Sequence, residues 1–184
     1  GDVRANDVSI TDKTLSNYLI ALRRLFIIED VKAWQPSLRS RTGIRTSDKR
    51  HFVDTSIATA ILELNPKSVL EDFELFGFLF EDFCLRDIRV YTELLRGTVY
   101  HYHDNSNLEA DLIIRLHDGR WAAIEVKTGS KEIEEAAENL ITLSNEVNTS
   151  KIGSPSFLMV LTAGQYAYRR EDGVYVVPIG CLKP

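Results

Sequence analysis

The sequence is short of the residues that build disulfide scaffolds, zinc modules and membrane spans. Its 184 residues include two cysteines, Cys84 and Cys181, far apart and without a CxxC pair or a histidine at metal-ligand spacing. A disulfide scaffold or a zinc module is therefore not expected, and a reducing cytoplasm is the predicted location. No apolar run approaches the ~20 residues that a transmembrane helix requires. The first residues also lack the charged-then-apolar pattern of a signal peptide.

A phosphate-binding loop of the form GxxxxGK[ST] is also missing, so no ATP site is expected in this chain. The chain starts with Gly1 rather than methionine, and we expect it to be a fragment of a larger protein. With 44% hydrophobic residues it can bury a core, either as one domain or as one domain with a small satellite.

The net charge of -5 is unevenly distributed along the chain. Residues 1–68 carry 11 basic and 8 acidic residues, whereas residues 69–184 carry 11 basic and 19 acidic residues. The first part therefore has a charge of +3 and the second a charge of -8. Because contact with phosphates requires a basic surface, any binding of a nucleic-acid backbone is predicted in the first part.

Residues 11–68 predict a helix, a strand, a basic loop, a second strand and a short helix. Residues 11–14 supply helix caps, residues 26–31 and 51–54 have strand composition, and residues 55–64 are helical in pattern. The loop between the strands carries five candidate nucleic-acid-binding residues: Arg39, Arg41, Arg45, Lys49 and Arg50. This order is typical of the second half of a winged helix, so we predict a partial winged-helix subdomain over residues 1–68. The alternative is a solvated basic loop on a small packing domain.

Residues 69–184 predict a helix, three strands, a helix, a strand and a closing hairpin. The stretch 69–88 is apolar on most of its surface, which is typical of a core helix. Glu81 lies within it, and helix periodicity alone places this residue outward beside Asp82. Residues 155–162 form an apolar strand of the kind buried on both faces. We therefore predict an α/β domain with a mixed central sheet flanked by helices.

Two short acidic motifs lie on neighbouring predicted strands of this domain. They are Glu109-Ala-Asp111 and Glu125-Val-Lys127. Carboxylate oxygens are hard ligands that suit Mg²⁺ or Mn²⁺, and a lysine beside such an ion suits a phosphodiester. The acid-x-lysine tripeptide is weak by itself, because Asp30-Val-Lys32 also fits it. The alternative is a surface ion pair between Lys127 and a carboxylate.

The length of the loop between these strands decides whether the acids meet. A two-residue loop at Asp118-Gly119 would place Asp111 opposite Val126, on the wrong side of the sheet. A three-residue loop over residues 117–119 places Asp111 opposite Glu125. The longer loop also sorts the apolar residues of both strands onto one face, which normally fixes the register. Two facing carboxylates repel each other, and a divalent cation is the simplest compensation.

In the order of several short motifs, the sequence resembles the C-terminal domain of a large group of prokaryotic AAA-type ATPases. The motifs are Leu75-Phe-Gly-Phe-Leu-Phe-Glu81, Glu109-Ala-Asp111, Ile124-Glu-Val-Lys-Thr-Gly129 and residues 167–178, with Phe52-Val-Asp54 in the segment that links a winged helix to this domain. That domain is similar to the PD-(D/E)XK nuclease superfamily. The resemblance implies a restriction-endonuclease-like fold over residues 69–184, and a missing N-terminal ATPase region as a partner.

The resemblance also implies roles for individual residues. Asp111 matches the first-strand acid of the superfamily, Glu125 the second acid and Lys127 the lysine, which gives the expected catalytic set. Glu81 matches an acid donated by the core helix, so Glu81, Asp111 and Glu125 are the expected Mg²⁺ or Mn²⁺ ligands. The predicted function is Mg²⁺-dependent hydrolysis of DNA. The alternative is a DNA- or protein-binding regulatory module without turnover, which the acidic second part favours.

Overall fold

The computed structural model describes residues 11–39 and 43–183, and its N-terminal part combines short helices with one β-hairpin. The elements are α1 (Asp12–Arg24), β1 (Ile28–Val31), β2 (Lys49–Phe52), α2 (Thr55–Ile61) and α3 (Pro66–Glu71). Strands β1 and β2 are antiparallel, with Ile28 opposite Phe52 and Val31 opposite Lys49. Thr11 caps α1 by accepting a hydrogen bond from the amide of Thr14. The predicted order of helix, strand, loop, strand and helix is confirmed.

The remaining described residues form a mixed sheet of six strands with helices on both faces. The elements are α4 (Phe73–Leu94), β3 (Gly97–His103), β4 (Glu109–Leu116), β5 (Trp121–Lys127), α5 (Ile133–Glu146), α6 (Thr149–Ile152), β6 (Leu158–Thr162), β7 (Tyr168–Arg169) and β8 (Tyr175–Pro178), with 3₁₀ turns at Ser130–Glu132 and Ile179–Cys181. The strand order is β3-β4-β5-β6-β8-β7, in which β5, β6 and β8 are parallel and the other pairs antiparallel. The predicted α/β class with a mixed sheet flanked by helices is confirmed.

Alternating residues of β4 and β5 belong to two separate hydrophobic cores, one on each face of the sheet. Leu112 and Ile124 point towards α4, where they pack with Phe80 and other apolar residues of that helix. Ile113 and Ala123 point to the opposite face, where α5 packs. Both faces of β4 and β5 are therefore covered, which is why β5 is buried along nearly its whole length.

Two residues between β1 and β2 form bridges to the edge of the large sheet. Ala33 forms a parallel bridge with His101 of β3, and Ile44 forms an antiparallel bridge with Asp104. Trp34 donates its amide to the carbonyl of His101 at 2.7 Å, and its indole packs 4.8 Å from that of Trp121 in the α5-side core. The sequence predicted a loop here. Composition does not show that the open edge of a sheet can accept and donate hydrogen bonds to the backbone of these residues.

The predicted helix over residues 69–88 is wrong at its start. The chain breaks at Asp72, which has extended backbone angles (φ -118°, ψ 91°) and caps α4 by accepting from the amide of Leu75. Residues before it belong to α3, which Asn65 caps and Pro66 begins. The apolar pattern runs through this break, so periodicity could not reveal two helices. No helix in the described part of the chain is long and apolar enough to cross a membrane.

Candidate functional site

The turn between β4 and β5 fixes the register of the candidate site. Residues 117–119 form the three-residue loop, closed by a hydrogen bond from the amide of Leu116 to the carbonyl of Arg120 at 2.9 Å. Gly119 has φ +91°, a backbone conformation that side chains rarely adopt. Leu112 is consequently paired with Ile124, as the apolar sorting predicted. The three-residue register is confirmed.

Beyond that pair, side chains of the two acids continue the contact between the strands. The Glu125 carboxylate accepts a hydrogen bond from the amide of Asp111 through Oε2 at 3.2 Å. The Asp111 carboxylate in turn accepts from the amide of Val126 through Oδ2 at 2.8 Å. Each acid is therefore oriented by the backbone of the opposite strand, and each keeps a second oxygen for other contacts.

Those second oxygens face ammonium groups. Glu125 Oε1 lies 3.4 Å from Nζ of Lys127, and Asp111 Oδ1 lies 3.5 Å from Nζ of Lys49. The same Lys49 Nζ lies 2.5 Å from Oε1 of Glu81, on α4. Glu81 thus turns towards the acids rather than outward as helix periodicity alone suggested, which agrees with the position that the resemblance implied.

Burial and nearby negative charge raise the pKa values of the two acids. The Glu125 side chain is 1% exposed, and burial together with the charge of Asp111 raises its pKa to about 8 despite the nearby Lys127. Burial and the charge of Glu81 also raise the pKa of Asp111 above its ordinary value, against the opposing effect of Lys49. Both acids are therefore harder to ionise than an exposed carboxyl group.

The pKa values of the two lysines are raised as well, but by the neighbouring carboxylates and against the effect of burial. Burial alone would lower the pKa of Lys49, but the charges of Asp111 and Glu81 outweigh it and the pKa is raised. Burial of Lys127 is likewise outweighed by the charges of Glu125 and Asp111. Both side chains therefore remain ammonium ions beside the carboxylates.

Glu81, Asp111 and the two lysines line an open cleft of about 760 Å³ between β2, α4 and the end of β5. Glu125 is buried and is not among the residues that line it. Among the described residues that line it, the acidic ones are Glu74, Glu81, Asp82, Glu109, Asp111 and Glu132. The basic ones are Lys49, Arg50 and Lys127. The excess of carboxylates makes this cleft a better receptor for cations than for a bare phosphate.

A histidine–aspartate pair beside the acids was missed in the sequence. His51 Nδ1 lies 2.5 Å from Oδ1 of Asp82, and Asp82 Oδ2 accepts a hydrogen bond from the amide of Phe52 at 3.3 Å. Strand alternation offered a signal, since Lys49 and His51 share one face of β2, just as Glu81 and Asp82 are adjacent on α4. The sequence did not show that these two elements pack together.

Of the other predicted nucleic-acid-binding residues, Arg50 lines the cleft, Arg39 and Arg45 do not, and Arg41 is not described. Arg39 donates to Thr149 Oγ1 and Arg45 to Asn107 Oδ1, each at 2.7 Å. Arg50 lines the cleft and pairs with Asp30 at 3.3 Å. Arg41 lies outside the described residues. All three described arginines remain exposed, so they stay available to a larger ligand.

The second acid-x-lysine tripeptide, residues 30–32, has a structural role. Asp30 is paired with Arg23 and Arg50, and the hydrogen bond from Arg23 holds the pKa of its carboxyl below the ordinary value. Lys32 is exposed at the end of β1. The two tripeptides therefore have different surroundings. The carboxylate of Glu125 lies near Asp111, whereas that of Asp30 is paired with arginines.

The candidate metal ligands at this site are the carboxylates of Asp111 and Glu125, each of which accepts a hydrogen bond from the backbone of the opposite strand. In the part of the chain that the structure describes, no group of three or more His, Cys, Asp or Glu side chains is placed to hold a metal ion. Asp111 and Glu125 remain a two-carboxylate set, while Glu81 is engaged by Lys49. Mg²⁺ in proteins is commonly bound by one or two carboxylates together with water and substrate phosphate, so this donor set suits it.

Comparison with known proteins gives the chain a family but no established activity. Residues 3–68 match a family described as a domain of unknown function, DUF8612. No curated protein matches the chain in sequence. A solved structure described as a refined half-complex from the tetradecameric assembly of Thermococcus gammatolerans McrB AAA+ hexamers with bound McrC is 10% identical, with a TM-score of 0.37. The match covers 89% of this chain and 59% of that chain. A TM-score this low does not support a conclusion about this chain.

The second family match covers the sheet, both flanking helices and the acids. Residues 76–182, more than half of the chain, match the family described as a domain of unknown function, DUF4143. This range contains Glu81, Asp111, Glu125 and Lys127, whereas Lys49 lies in the range of the other family. The chain therefore belongs to the DUF4143 family.

Proposed function

We propose that this chain carries a restriction-endonuclease-like, PD-(D/E)XK-type centre for the hydrolysis of DNA phosphodiesters. The observation that carries the proposal is the reciprocal placement of Asp111 and Glu125, each fixed by the backbone of the other's strand, with Lys127 at 3.4 Å from Glu125. Buried carboxylates that repel each other reduce stability, and such perturbed groups are common at functional sites.

Asp111 and Glu125 would hold Mg²⁺ or Mn²⁺, with the Val126 carbonyl and Glu81 as further candidate ligands. The donor set supports this because Asp111 Oδ1 and Glu125 Oε1 already face positive charge. When bound, the ion supplies Lewis-acid activation of water and offsets charge on the phosphate. Glu125 would hold the ion as a carboxylate, since a ligand carboxyl group must be ionised.

Lys127 has the position of an electrostatic catalyst. Its ammonium lies at the end of β5, is part-buried, and is oriented by Glu125. From there it stabilises negative charge that develops on the phosphate oxygens during cleavage, without a change of its own protonation. The exposed Arg39, Arg45 and Arg50, with Arg41 in the segment between them, would attract the DNA backbone.

The whole protein is proposed to have two parts and an ATPase partner. The family matches over 3–68 and 76–182 support a division into a partial winged-helix-like unit, residues 1–68, and a nuclease-like unit, residues 69–184. The motif resemblance to C-terminal domains of AAA-type ATPases supports a motor region elsewhere in the protein.

A second candidate function is a regulatory module that binds DNA or protein without turnover. The ion pairs of Lys49 favour it, because this lysine neutralises Glu81 and Asp111 without a metal. The charge of -8 on residues 69–184 favours it too, since tight contact with DNA normally requires basic surface.

A cleavage assay separates the two functions. Wild type, Lys127→Ala and Asp111→Asn are incubated with linear, circular and single-stranded DNA plus Mg²⁺ or Mn²⁺. Lys32→Ala is the matched control, because it removes the lysine of the other acid-x-lysine tripeptide. Cleavage by wild type and by Lys32→Ala, with losses of at least about 100-fold in the other two, supports the nuclease. Equal background in all four proteins rejects it.

A further inference from the structure

Lys49 reaches the acids from outside the DUF4143 match. It is the first residue of β2, in the range of the N-terminal family, and its Nζ lies 2.5 Å from Glu81 and 3.5 Å from Asp111. It thus joins the acid of α4 to the acid of β4. The same ammonium lies at the boundary of the main cleft and a smaller cavity of about 180 Å³.

Lys49 is paired with Val31 in the β1–β2 hairpin, whereas its side chain is partly exposed. Two residues further along β2, His51 contacts Asp82, and Phe52 donates its amide to the same carboxylate. The Lys49 side chain is 39% exposed and carries its charge on a flexible four-carbon stem. The ammonium can therefore leave the acids by side-chain rotation alone, with β2 remaining in place.

We propose that Lys49 is a built-in competitor of the divalent metal, occupying the cation position between Glu81 and Asp111 until the ion displaces it. This inference rests on the metal centre proposed above. One Asp111 oxygen accepts from Val126 and the other faces Lys49, so a metal that uses that second oxygen meets the ammonium directly. Both cations cannot use the same oxygen without strong repulsion.

This competition explains why Glu81, Asp111 and Glu125 are not already arranged as three ligands of one metal ion. Glu81 is directed to Lys49 and leaves Asp111 and Glu125 as the oriented pair. Removal of the ammonium frees Glu81 and one Asp111 oxygen together. The N-terminal unit thereby controls the metal affinity of a site that lies mainly in the other family's range.

The test measures Mn²⁺ affinity by calorimetry in wild type, Lys49→Met and Lys32→Met. Lys49→Met keeps the apolar stem and removes the charge, while Lys32→Met removes an equal charge from the exposed end of β1. We expect Lys49→Met to bind Mn²⁺ on the order of tenfold more tightly than wild type, a typical coupling between linked sites. Lys32→Met should bind like wild type.

Stability measurements separate competition from a structural role. In EDTA, Lys49→Met should unfold at a lower temperature than wild type, because Glu81 and Asp111 lose their counter-charge. Saturating Mn²⁺ should then raise its unfolding temperature more than that of wild type. A deficit in Lys49→Met that Mn²⁺ leaves unchanged means that Lys49 is structural, and overturns the proposal.

Wild type alone supplies a further measurement if Lys49→Met does not fold. Acylation of lysines, read by mass spectrometry, should be slow at Lys49 in EDTA and faster with Mn²⁺, while the exposed Lys67 is unchanged. Unchanged or slower labelling of Lys49 with Mn²⁺ overturns the proposal.

The affinities also distinguish this inference from the proposed function. Measurable but equal or weaker Mn²⁺ binding in Lys49→Met rejects the competition and leaves the metal centre standing. Absence of Mn²⁺ binding in both wild type and Lys49→Met rejects the metal centre, and the competition with it.

Discussion

The amide of Asp111 donates to the carboxylate of Glu125, and this contact at 3.2 Å joins two acids that would otherwise repel each other across β4 and β5. The Asp111 carboxylate returns a contact to the amide of Val126, so the pair replaces ladder hydrogen bonds at the end of the sheet. The acids are held by the backbone even before any cation binds.

Glu125 should make the metal-free protein less stable as the pH rises. The pKa of Glu125 is about 8 in the folded protein and has an ordinary value of 4.5, so between these values the native state binds a proton that the unfolded state has lost. The free energy of unfolding therefore falls across this window, by an amount on the order of a few kcal/mol.

Urea unfolding in EDTA at pH 5 to 9 measures this effect, with Glu125→Gln as the comparison. The amide cannot ionise, so the variant should gain stability relative to wild type as the pH rises. The difference between the two curves isolates Glu125 from other titrating groups. Parallel curves would show that Glu125 titrates as an ordinary carboxyl.

Gly119 should be required for the loop that brings the acids together. Its φ of +91° strains any side chain, although a Cβ there would contact nothing within 4 Å. Gly119→Ala should reduce the free energy of unfolding by roughly 1–2 kcal/mol through backbone strain alone. Gly180→Ala is the control, because its Cβ also meets nothing within 4 Å and no positive φ is involved. Equal stability of both variants by urea unfolding contradicts the turn geometry.

Trp34 should couple the N-terminal segment to the large sheet. It is 3% exposed and packs against Trp121, although it lies far from β5 in sequence. Trp34→Ala should cost about 3–5 kcal/mol in urea unfolding, as expected for truncation of a buried tryptophan. Tyr166→Ala, at a side chain that is 79% exposed, should change stability by less than about 0.5 kcal/mol. A small effect at Trp34 would mean that the segment is not part of the cooperative unit.

The strand register was predictable from the sequence because local chemistry and apolar sorting agree. A three-residue loop ending in glycine and the alternation of Leu112 and Ile124 both place Asp111 across from Glu125, and the structure confirms this register. The mixed sheet followed from the same kind of pattern, with alternating strands and one strand apolar throughout.

The position of Lys49 was not predictable in this way. It depends on the bridges that Ala33 and Ile44 form with His101 and Asp104, and on the contact of Lys49 with α4, all of which are long-range. Composition assigned Lys49 to a basic loop, and no local pattern connects it with Glu81. The break at Asp72 was hidden for a related reason, since capping interrupts a helix without interrupting its apolar pattern.

Asp111 and Glu125 are proposed to form a divalent metal site together. Its most direct test is a crystal structure of the protein soaked in Mn²⁺, with anomalous difference density measured at the manganese absorption edge. We expect one strong peak within bonding distance of both carboxylates, and its loss in Asp111→Asn crystals treated identically. A peak elsewhere, or well-ordered Asp111 and Glu125 without a peak at saturating Mn²⁺, would contradict it.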